Sequence, residues 1–229
     1  TDEAEGYTVD VDKSVKKIKN FMNKKWNYED AEVELKLDTE EPTIKKADLE
    51  SLQDELGSYT TNAGWGDRVQ NIRRATELIN GTVVMPGEEF SVEQATLPYT
   101  EENGYVAGSA YENGQIVESI GGGLCQVSTT LYNAVLYAEL EVTQRAPHSM
   151  SVSYVEPSRD AMIAEGISDF KFVNNYDTPI LIEGYIDGNN QLGFYIYGKD
   201  TRAVGHSVEF ESETLETTEY TKKYAEDTE

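Results

Sequence analysis

The residues best suited to covalent chemistry in this sequence lie around its single cysteine, Cys125. Three glycines, Gly121 to Gly123, come shortly before it. Behind it, apolar residues recur at the spacing of one helix face, namely Val127, Leu131, Val135 and Ala138. The cysteine is therefore predicted in the first turn of a helix, where unpaired N–H groups and the helix dipole favour a thiolate. This position favours a nucleophilic or redox-reactive thiol, and an inert buried cysteine is the alternative interpretation.

A thiol nucleophile works best beside an imidazole base and a third group that orients the imidazole. His148 opens the first strand predicted after the cysteine helix, and Asp160 opens the next strand across a short turn. Neighbouring antiparallel strands bring such residues side by side. The sequence thus predicts a Cys125–His148–Asp160 triad, in the order and topology of papain-like and transglutaminase-like thiol enzymes. Asp169 is the alternative third member, and the alternative role of His148 is simply to cap the strand that it opens.

The stretch around the cysteine also contains groups able to stabilise an oxyanion. We assign this positioning role to the backbone amides around Gly123 and Leu124 and to the side-chain amide of Gln126. The two histidines, the cysteine and the acidic residues show no short metal-binding spacing, so no metal site is predicted. No phosphate-binding or dinucleotide pattern surrounds the glycines, and no cofactor is predicted.

The charge of the chain limits its partners. Its 229 residues include 43 acidic and 19 basic side chains, for a net charge of −24, which argues against nucleic acid and anionic membrane surfaces as partners. No apolar run is long enough to span a bilayer. The first residues carry no signal-like segment, so the sequence is predicted to be the excised soluble part of a longer protein. One cysteine excludes an internal disulfide.

Residues 7–57 are predicted to form a small α/β module. Apolar residues at helical spacing predict a helix between Val9 and Trp26, and alternation from Val33 to Leu37 predicts a half-buried strand. A short helix is predicted from Leu49 to Leu56, ended by Gly57. The module is either an independent binding unit or an extension of the main domain.

Residues 58–210 are predicted to form the main domain, of α+β class, with helices packed on an antiparallel β-meander and the cysteine facing the sheet. A helix is expected from Asp67 to Asn80, and Asn113-Gly114 predicts a hairpin that leads to the glycine run. Period-two alternation from Met150 to Tyr197, interrupted by turn residues, predicts the meander. Residues 211–229 are rich in Glu and Thr and are predicted to be an acidic linker.

These segments resemble the VanW-like proteins, a family named after an accessory gene of vancomycin-resistance clusters in Gram-positive bacteria. The resemblance runs from about Ser58 to Tyr197 and is carried by Asn71-Ile72-Arg73-Arg74-Ala75, Met85 to Ser91, Gly121 to Asn133, His148-Ser149, Arg159-Asp160-Ala161 and Asp169 to Phe172. Residues 7–57 are similar to a segment that often precedes this domain and is associated with peptidoglycan binding. The resemblance implies an extracellular protein of the cell surface or cell wall, anchored in the membrane upstream of residue 1, and it implies no catalytic residues.

Two functions are compatible with this setting. The first is a thiol-dependent peptidase, amidase or transpeptidase that acts on peptidoglycan or its stem peptides through the predicted triad. The second is a non-catalytic wall-binding or scaffolding module, in which Tyr132 packs against glycan or peptide and Arg145 and Arg159 bind carboxylates. Redox sensing by Cys125 is a third alternative.

Overall fold

A computed structural model describes residues 4–112 and 115–216 and divides the chain into two compact units, Thr1–Gln53 and Asp54–Glu229. All strand pairs in the described residues are antiparallel, and they combine with helices in both units. The predicted α+β class is therefore confirmed. Of the predicted acidic linker, residues 211–216 contain no helix or strand, and residues 217–229 lie outside the described part.

The first unit contains a two-stranded ladder and two helices: β1 (Gly6–Val9), α1 (Val11–Lys24), β2 (Leu37–Glu40) and α2 (Lys46–Glu50). Asp10 caps α1 by accepting a hydrogen bond from the backbone of Lys13 at 2.8 Å. The predicted strand from Val33 is wrong, since pairing begins only at Leu37. The preceding backbone is held by α1 instead: the N–H of Lys36 donates to the hydroxyl of Ser14, the one buried residue of that helix.

The second unit contains the strands and helices that position the candidate site. In chain order they are β3 (Asp54–Asn62), α3 (Arg68–Ile79), β4 (Thr82–Val84), β5 (Glu89–Ser91), α4 (Val92–Thr96), a 3-10 turn (Glu101–Asn103), β6 (Ala107–Glu112), β7 (Gln115–Ile120), α5 (Leu124–Tyr137), β8 (Glu141–Gln144), β9 (Lys171–Val173), β10 (Ile180–Ile186) and β11 (Gln191–Gly198). The helix predicted over Asp67–Asn80 is confirmed as α3. Strands β6 and β7 pair as predicted, while the Asn113-Gly114 turn lies outside the described residues.

The main sheet has the strand order β3-β11-β10-β4, and α3 and α5 pack against it. A second sheet has the order β5-β9-β8. The core between these layers consists of fully buried aliphatic and aromatic side chains, among them Ile72, Ile79, Leu131, Val135, Phe170, Phe172, Ile180, Ile182, Phe194 and Ile196. At about 25 cal/mol per Å² of apolar surface buried, such side chains supply the dominant favourable term in folding.

The helix predicted to run to Leu56 is wrong, because Leu56 and Gly57 belong to β3. Gly57 pairs with Ile196 of the central strand β11. A Cβ on Gly57 would lie only 2.4 Å from the backbone nitrogen of Ala138, so the glycine permits close contact between sheet and helix. It therefore serves packing and does not end a helix.

The meander predicted from Met150 is only partly correct. Strands β9, β10 and β11 are present, but residues 145–170 form a long loop between β8 and β9 with a single isolated bridge, Ala164 to Ser168. The inner side of this loop is anchored to α5, since the N–H of Ala161 donates to the hydroxyl of Thr129 at 2.9 Å. Ala161 and Ile163 are both buried, so the burial that the sequence pattern indicated is present outside any strand.

Candidate active site

The glycine run joins β7 to α5 in a conformation that other residues would resist. Gly121 and Gly123 have φ angles of +84° and +104°, a region in which side chains are rarely tolerated. A Cβ on Gly122 would lie 2.2 Å from the carbonyl oxygen of Gly108 on β6. Asn71 of α3 clamps the same turn by donating its side-chain amide to the carbonyl of Gly122 at 2.9 Å. These contacts determine where α5 begins.

Cys125 is the second residue of α5, in the helix turn where the sequence predicted it. Its side chain is partly buried against the core, and its Sγ–H donates to the carbonyl oxygen of Ile163 at 3.3 Å. Burial raises the pKa of the Cys125 thiol. The resting group is therefore a neutral thiol, in contrast to the thiolate that the helix dipole alone would favour.

His148 and Asp160 are in direct contact, although both lie on the 145–170 loop and not on neighbouring strands as predicted. Oδ2 of Asp160 is 2.6 Å from Nδ1 of His148 and accepts a second hydrogen bond from the His148 backbone N–H at 2.6 Å. Burial would raise the pKa of Asp160, but these hydrogen bonds outweigh it and lower that pKa. Because a carboxylate only accepts, Nδ1 of His148 is the nitrogen that donates to Asp160, which leaves Nε2 as the nitrogen that can act as a base.

Cys125 and His148 line the same pocket, which has a volume of about 600 Å³. The glycine run forms one side of it, and the 145–170 loop contributes Tyr154 and Ile163 to the other. Gly123, Leu124 and Gln126, the residues predicted to stabilise an oxyanion, also line it. The backbone N–H of Leu124, predicted to stabilise an oxyanion, instead donates to the carbonyl of Gly121 at 3.2 Å, whereas within the described residues the N–H groups of Gly123 and Cys125 donate to no backbone oxygen.

The side-chain amide of Gln126, predicted to stabilise an oxyanion, is hydrogen-bonded inside the protein. Its Nε2 donates both protons within the protein, to the hydroxyl of Thr61 and to the carbonyl of Asn62, each at 2.8 Å. Its Oε1 has no donor within the described chain. Gln126 is itself almost fully buried, and its side chain therefore has no free donor for an oxyanion.

The three residues predicted to bind substrate are engaged inside the protein. Arg145 donates to the Asp160 carboxylate at 3.1 Å and lies over the ring of Tyr132. Arg159 donates to Asn133 at 2.6 Å and packs on a set of aromatic rings, those of Tyr59, Tyr137 and Phe210. None of the three residues is among those that line the pocket.

Three pocket residues were not predicted from the sequence. Arg68 of α3 lines the pocket and donates to the carbonyl of Ala63 at 2.6 Å. Tyr99 and Tyr154 also line it, and burial raises the pKa of Tyr99 to about 12 and raises that of Tyr154 as well. Tyrosines in strand-like patterns give no signal that separates a pocket wall from ordinary packing.

Asp169, the alternative third member of the triad, is bound elsewhere. Its carboxylate accepts hydrogen bonds from the hydroxyl of Ser91 at 2.5 Å and from the backbone N–H of Glu93 at 2.9 Å, at the start of α4. Within residues 4–112 and 115–216, no cluster of three metal-ligating side chains is present. In the same residues, no helix combines the length and the apolar character needed to cross a membrane.

Comparison with known proteins gives consistent matches. A family model described as "VanW like protein" matches residues 67–197. The chain is 37% identical over 187 residues to the uncharacterized protein YoaR of Bacillus subtilis, which covers 79% of this chain and 61% of that protein. It is 29% identical over 157 residues to the vancomycin B-type resistance protein VanW of Enterococcus faecalis, which covers 64% of this chain and 57% of that protein. The chain thus spans about three fifths of the length of these relatives, and no solved structure matches it.

Proposed function

The chain belongs to the VanW-like protein family, and we propose that it acts in the cell envelope as a thiol-dependent enzyme on amide bonds of peptidoglycan stem peptides. The setting is supported by the similarity to a relative named as a vancomycin resistance protein. The chemistry is supported by one observation above all: Cys125 shares a pocket with His148, whose ring is oriented by Asp160.

In the proposed reaction, the sulfur of Cys125 attacks the carbonyl carbon of the substrate amide while Nε2 of His148 takes the thiol proton. The negative charge moves to the carbonyl oxygen, where the free N–H groups of Gly123 and Cys125 can donate to it. The C–N bond then breaks, the amine leaves with the proton held by His148, and a thioester remains. Water completes hydrolysis, and a second amine completes transpeptidation.

The test is acylation of the cysteine by wall material. The purified chain is incubated with muropeptides released from Gram-positive sacculi, and its intact mass is followed with time. We expect an adduct on Cys125 that is absent in Cys125→Ala and strongly delayed in His148→Gln. Arg73→Gln, on the exposed surface of α3, serves as a control and should behave as wild type. If no adduct forms and the peptide profile of the wall stays unchanged, the enzymatic proposal is wrong.

A second function, non-catalytic binding of the wall, is favoured by the neutral thiol. A thiol whose pKa is raised by burial is a poor nucleophile until its proton is removed. In this case the pocket would hold a stem peptide without cleaving it. Co-sedimentation with sacculi that is retained in Cys125→Ala, without acylation of the wild type, supports binding alone.

A further inference from the structure

The first unit is acidic overall, with 14 acidic against nine basic residues, but most of its positive charge lies around one groove. All nine basic residues of Thr1–Gln53 are lysines. Six of them surround a groove of about 540 Å³ between α1 and the segment before β2: Lys13, Lys16, Lys17, Lys24, Lys25 and Lys36. The acidic residues that line it are Glu32 and Glu34. The lining therefore has a clear positive excess in a protein of net charge −24.

Most of this positive charge is not neutralised by the protein. Lys17 pairs with Glu34 at 3.4 Å, and Lys13 pairs with Asp10 at 2.5 Å. The other four ammonium groups, those of Lys16, Lys24, Lys25 and Lys36, have no ion-pair partner in the described residues. All four side chains are exposed, so they can approach a ligand at little desolvation cost.

The groove presents a row of lysines along α1. Its lysines from Lys13 to Lys24 lie along one face of α1 and span about 16 Å at the helical rise per residue. Phe21 and Val33, both partly buried, supply apolar lining between the charged groups. Each lysine is a compact point charge with three donors, which suits separate phosphates along a polymer better than the planar, two-point recognition that arginine provides.

We propose that this groove binds a flexible polyanion of phosphodiester type, such as a polyol phosphate chain of the bacterial wall. Salt screens the acidic residues that lie far from the groove, because the Debye length is about 8 Å at physiological ionic strength. A ligand inside the groove therefore responds mainly to the lysines around it. This binding is independent of the proposed thiol chemistry and concerns a different unit of the chain.

The test uses the full chain and a fluorescently labelled inorganic polyphosphate, with binding followed by anisotropy at increasing salt concentration. We expect Lys16→Gln/Lys24→Gln to weaken binding about tenfold and to lower the slope of log K against log salt by about two, since two phosphate contacts are lost. Lys19→Gln/Lys46→Gln removes the same charge from residues that do not line the groove and should change the affinity by less than about twofold.

Two further variants separate charge from folding. Lys16→Arg/Lys24→Arg keeps the charge and should retain most of the affinity, and Glu32→Gln should tighten binding by removing a repulsive carboxylate from the lining. Equal losses in the groove pair and the control pair would overturn the proposal, as would an unchanged affinity in the groove pair. Binding to vesicles of anionic lipid without binding to soluble polyphosphate would also overturn it, and would point to the exposed apolar side of α1 at Val11, Val15 and Met22.

Discussion

The contact between Asp160 and His148 makes the sharpest prediction, for the substitution Asp160→Asn. Asparagine preserves the shape of the side chain but replaces one carboxylate oxygen by an NH2 group. The carboxylate now accepts three hydrogen bonds, two from His148 at 2.6 Å and one from Arg145 at 3.1 Å. In either orientation of the new amide, at least one of these donors faces the NH2 group and is left unpaired.

The size of the effect follows from these contacts. Hydrogen bonds to charged groups contribute about 1.5–3 kcal/mol each, and an unpaired buried donor adds its own cost. We therefore expect Asp160→Asn to lower the free energy of unfolding by about 2–4 kcal/mol, which corresponds to a fall in Tm of about 5–12 °C for a domain of this size. The ring of His148 should also lose its preference for the Nδ1-protonated form.

The pH dependence of this effect has a defined sign. Burial opposes ionisation of Asp160, but the hydrogen bonds from His148 outweigh burial and lower its pKa. The stabilisation is then fully present above the pKa of the unfolded carboxyl and is lost as the pH falls through the lowered folded pKa. Thermal unfolding of wild type and variant should differ most near neutral pH and converge in acid.

A matched control is available in Asp169→Asn. Asp169 is also buried and also accepts from a backbone N–H, but its other donor is the hydroxyl of Ser91, and no hydrogen bond in the described residues joins it to His148. This control should lose stability and leave the His148 tautomer unchanged, as read from ring 15N chemical shifts. If Asp160→Asn retains both the stability and the Nδ1-protonated ring of wild type, the assignment of Asp160 as the orienting group is wrong.

Three other substitutions test separate parts of the site. Burial raises the pKa of Cys125, so the unfolded state loses the thiol proton first as the pH rises. Urea denaturation should therefore show wild type losing stability relative to Cys125→Ala between about pH 7.5 and about pH 9.5, two values on either side of an ordinary thiol pKa of about 8.5. An equal change in the free energy of unfolding of both proteins would contradict the burial of the thiol. Gly122→Ala should lower stability by about 3 kcal/mol or more, since its Cβ would overlap the carbonyl of Gly108, whereas Gly188→Ala, with open space around its Cβ, should be nearly neutral in the same thermal unfolding assay. Arg159→Met should lower the free energy of unfolding by about 2–4 kcal/mol, because Asn133 loses its donor and the aromatic rings lose the guanidinium. Sacculus binding by the folded variant should be unchanged. Lost binding would instead identify Arg159 as a substrate-binding residue.

Local signals in the sequence were sufficient for the start of the cysteine helix. The glycine run and the helical spacing after it predict α5 and place Cys125 in its first turn, because both depend on residues next to each other in the chain. The His148–Asp160 contact was also predictable, since the two residues are close in sequence. The loop that carries this contact was not predictable. The alternation of residues 150–163 comes from a loop with one side buried against α5, and alternation alone cannot distinguish such a loop from a strand.

Long-range contacts account for the roles that the sequence misassigned or left out. Ser128, Thr129 and Thr130 are three consecutive polar residues of α5, yet all three are fully buried. Thr129 binds the backbone of the 145–170 loop, and Thr130 bonds with Thr61 of β3 at 2.8 Å. These partners are 32 and 69 positions away in the chain. A single sequence contains no signal for pairings of that kind, and the same is true of the aromatic rings around Arg159.

The neutral thiol leads to a last prediction, which concerns how Cys125 could be activated. One loop carries three groups that bear on the thiol: the base His148, the carboxylate of Asp160 that orients it, and the Ile163 carbonyl that accepts the hydrogen bond of Cys125. Hydrogen bonds to α5 hold that loop in place. In the resting site the S–H is directed to Ile163, so attack on a carbonyl requires the proton to turn to His148. We expect a ligand in the pocket to cause this change, because it excludes water and competes for the donor.

Two rates then distinguish a pre-activated thiol from a ligand-activated one. Iodoacetamide should label Cys125 at pH 7 more slowly than it labels an unfolded cysteine peptide, because less of the buried thiol is ionised. A muropeptide that fills the pocket should nevertheless acylate Cys125 and should do so through His148. Rapid labelling at neutral pH that is unaffected by His148→Gln would mean that the helix terminus alone activates the sulfur, and that the 145–170 loop has no part in activating it.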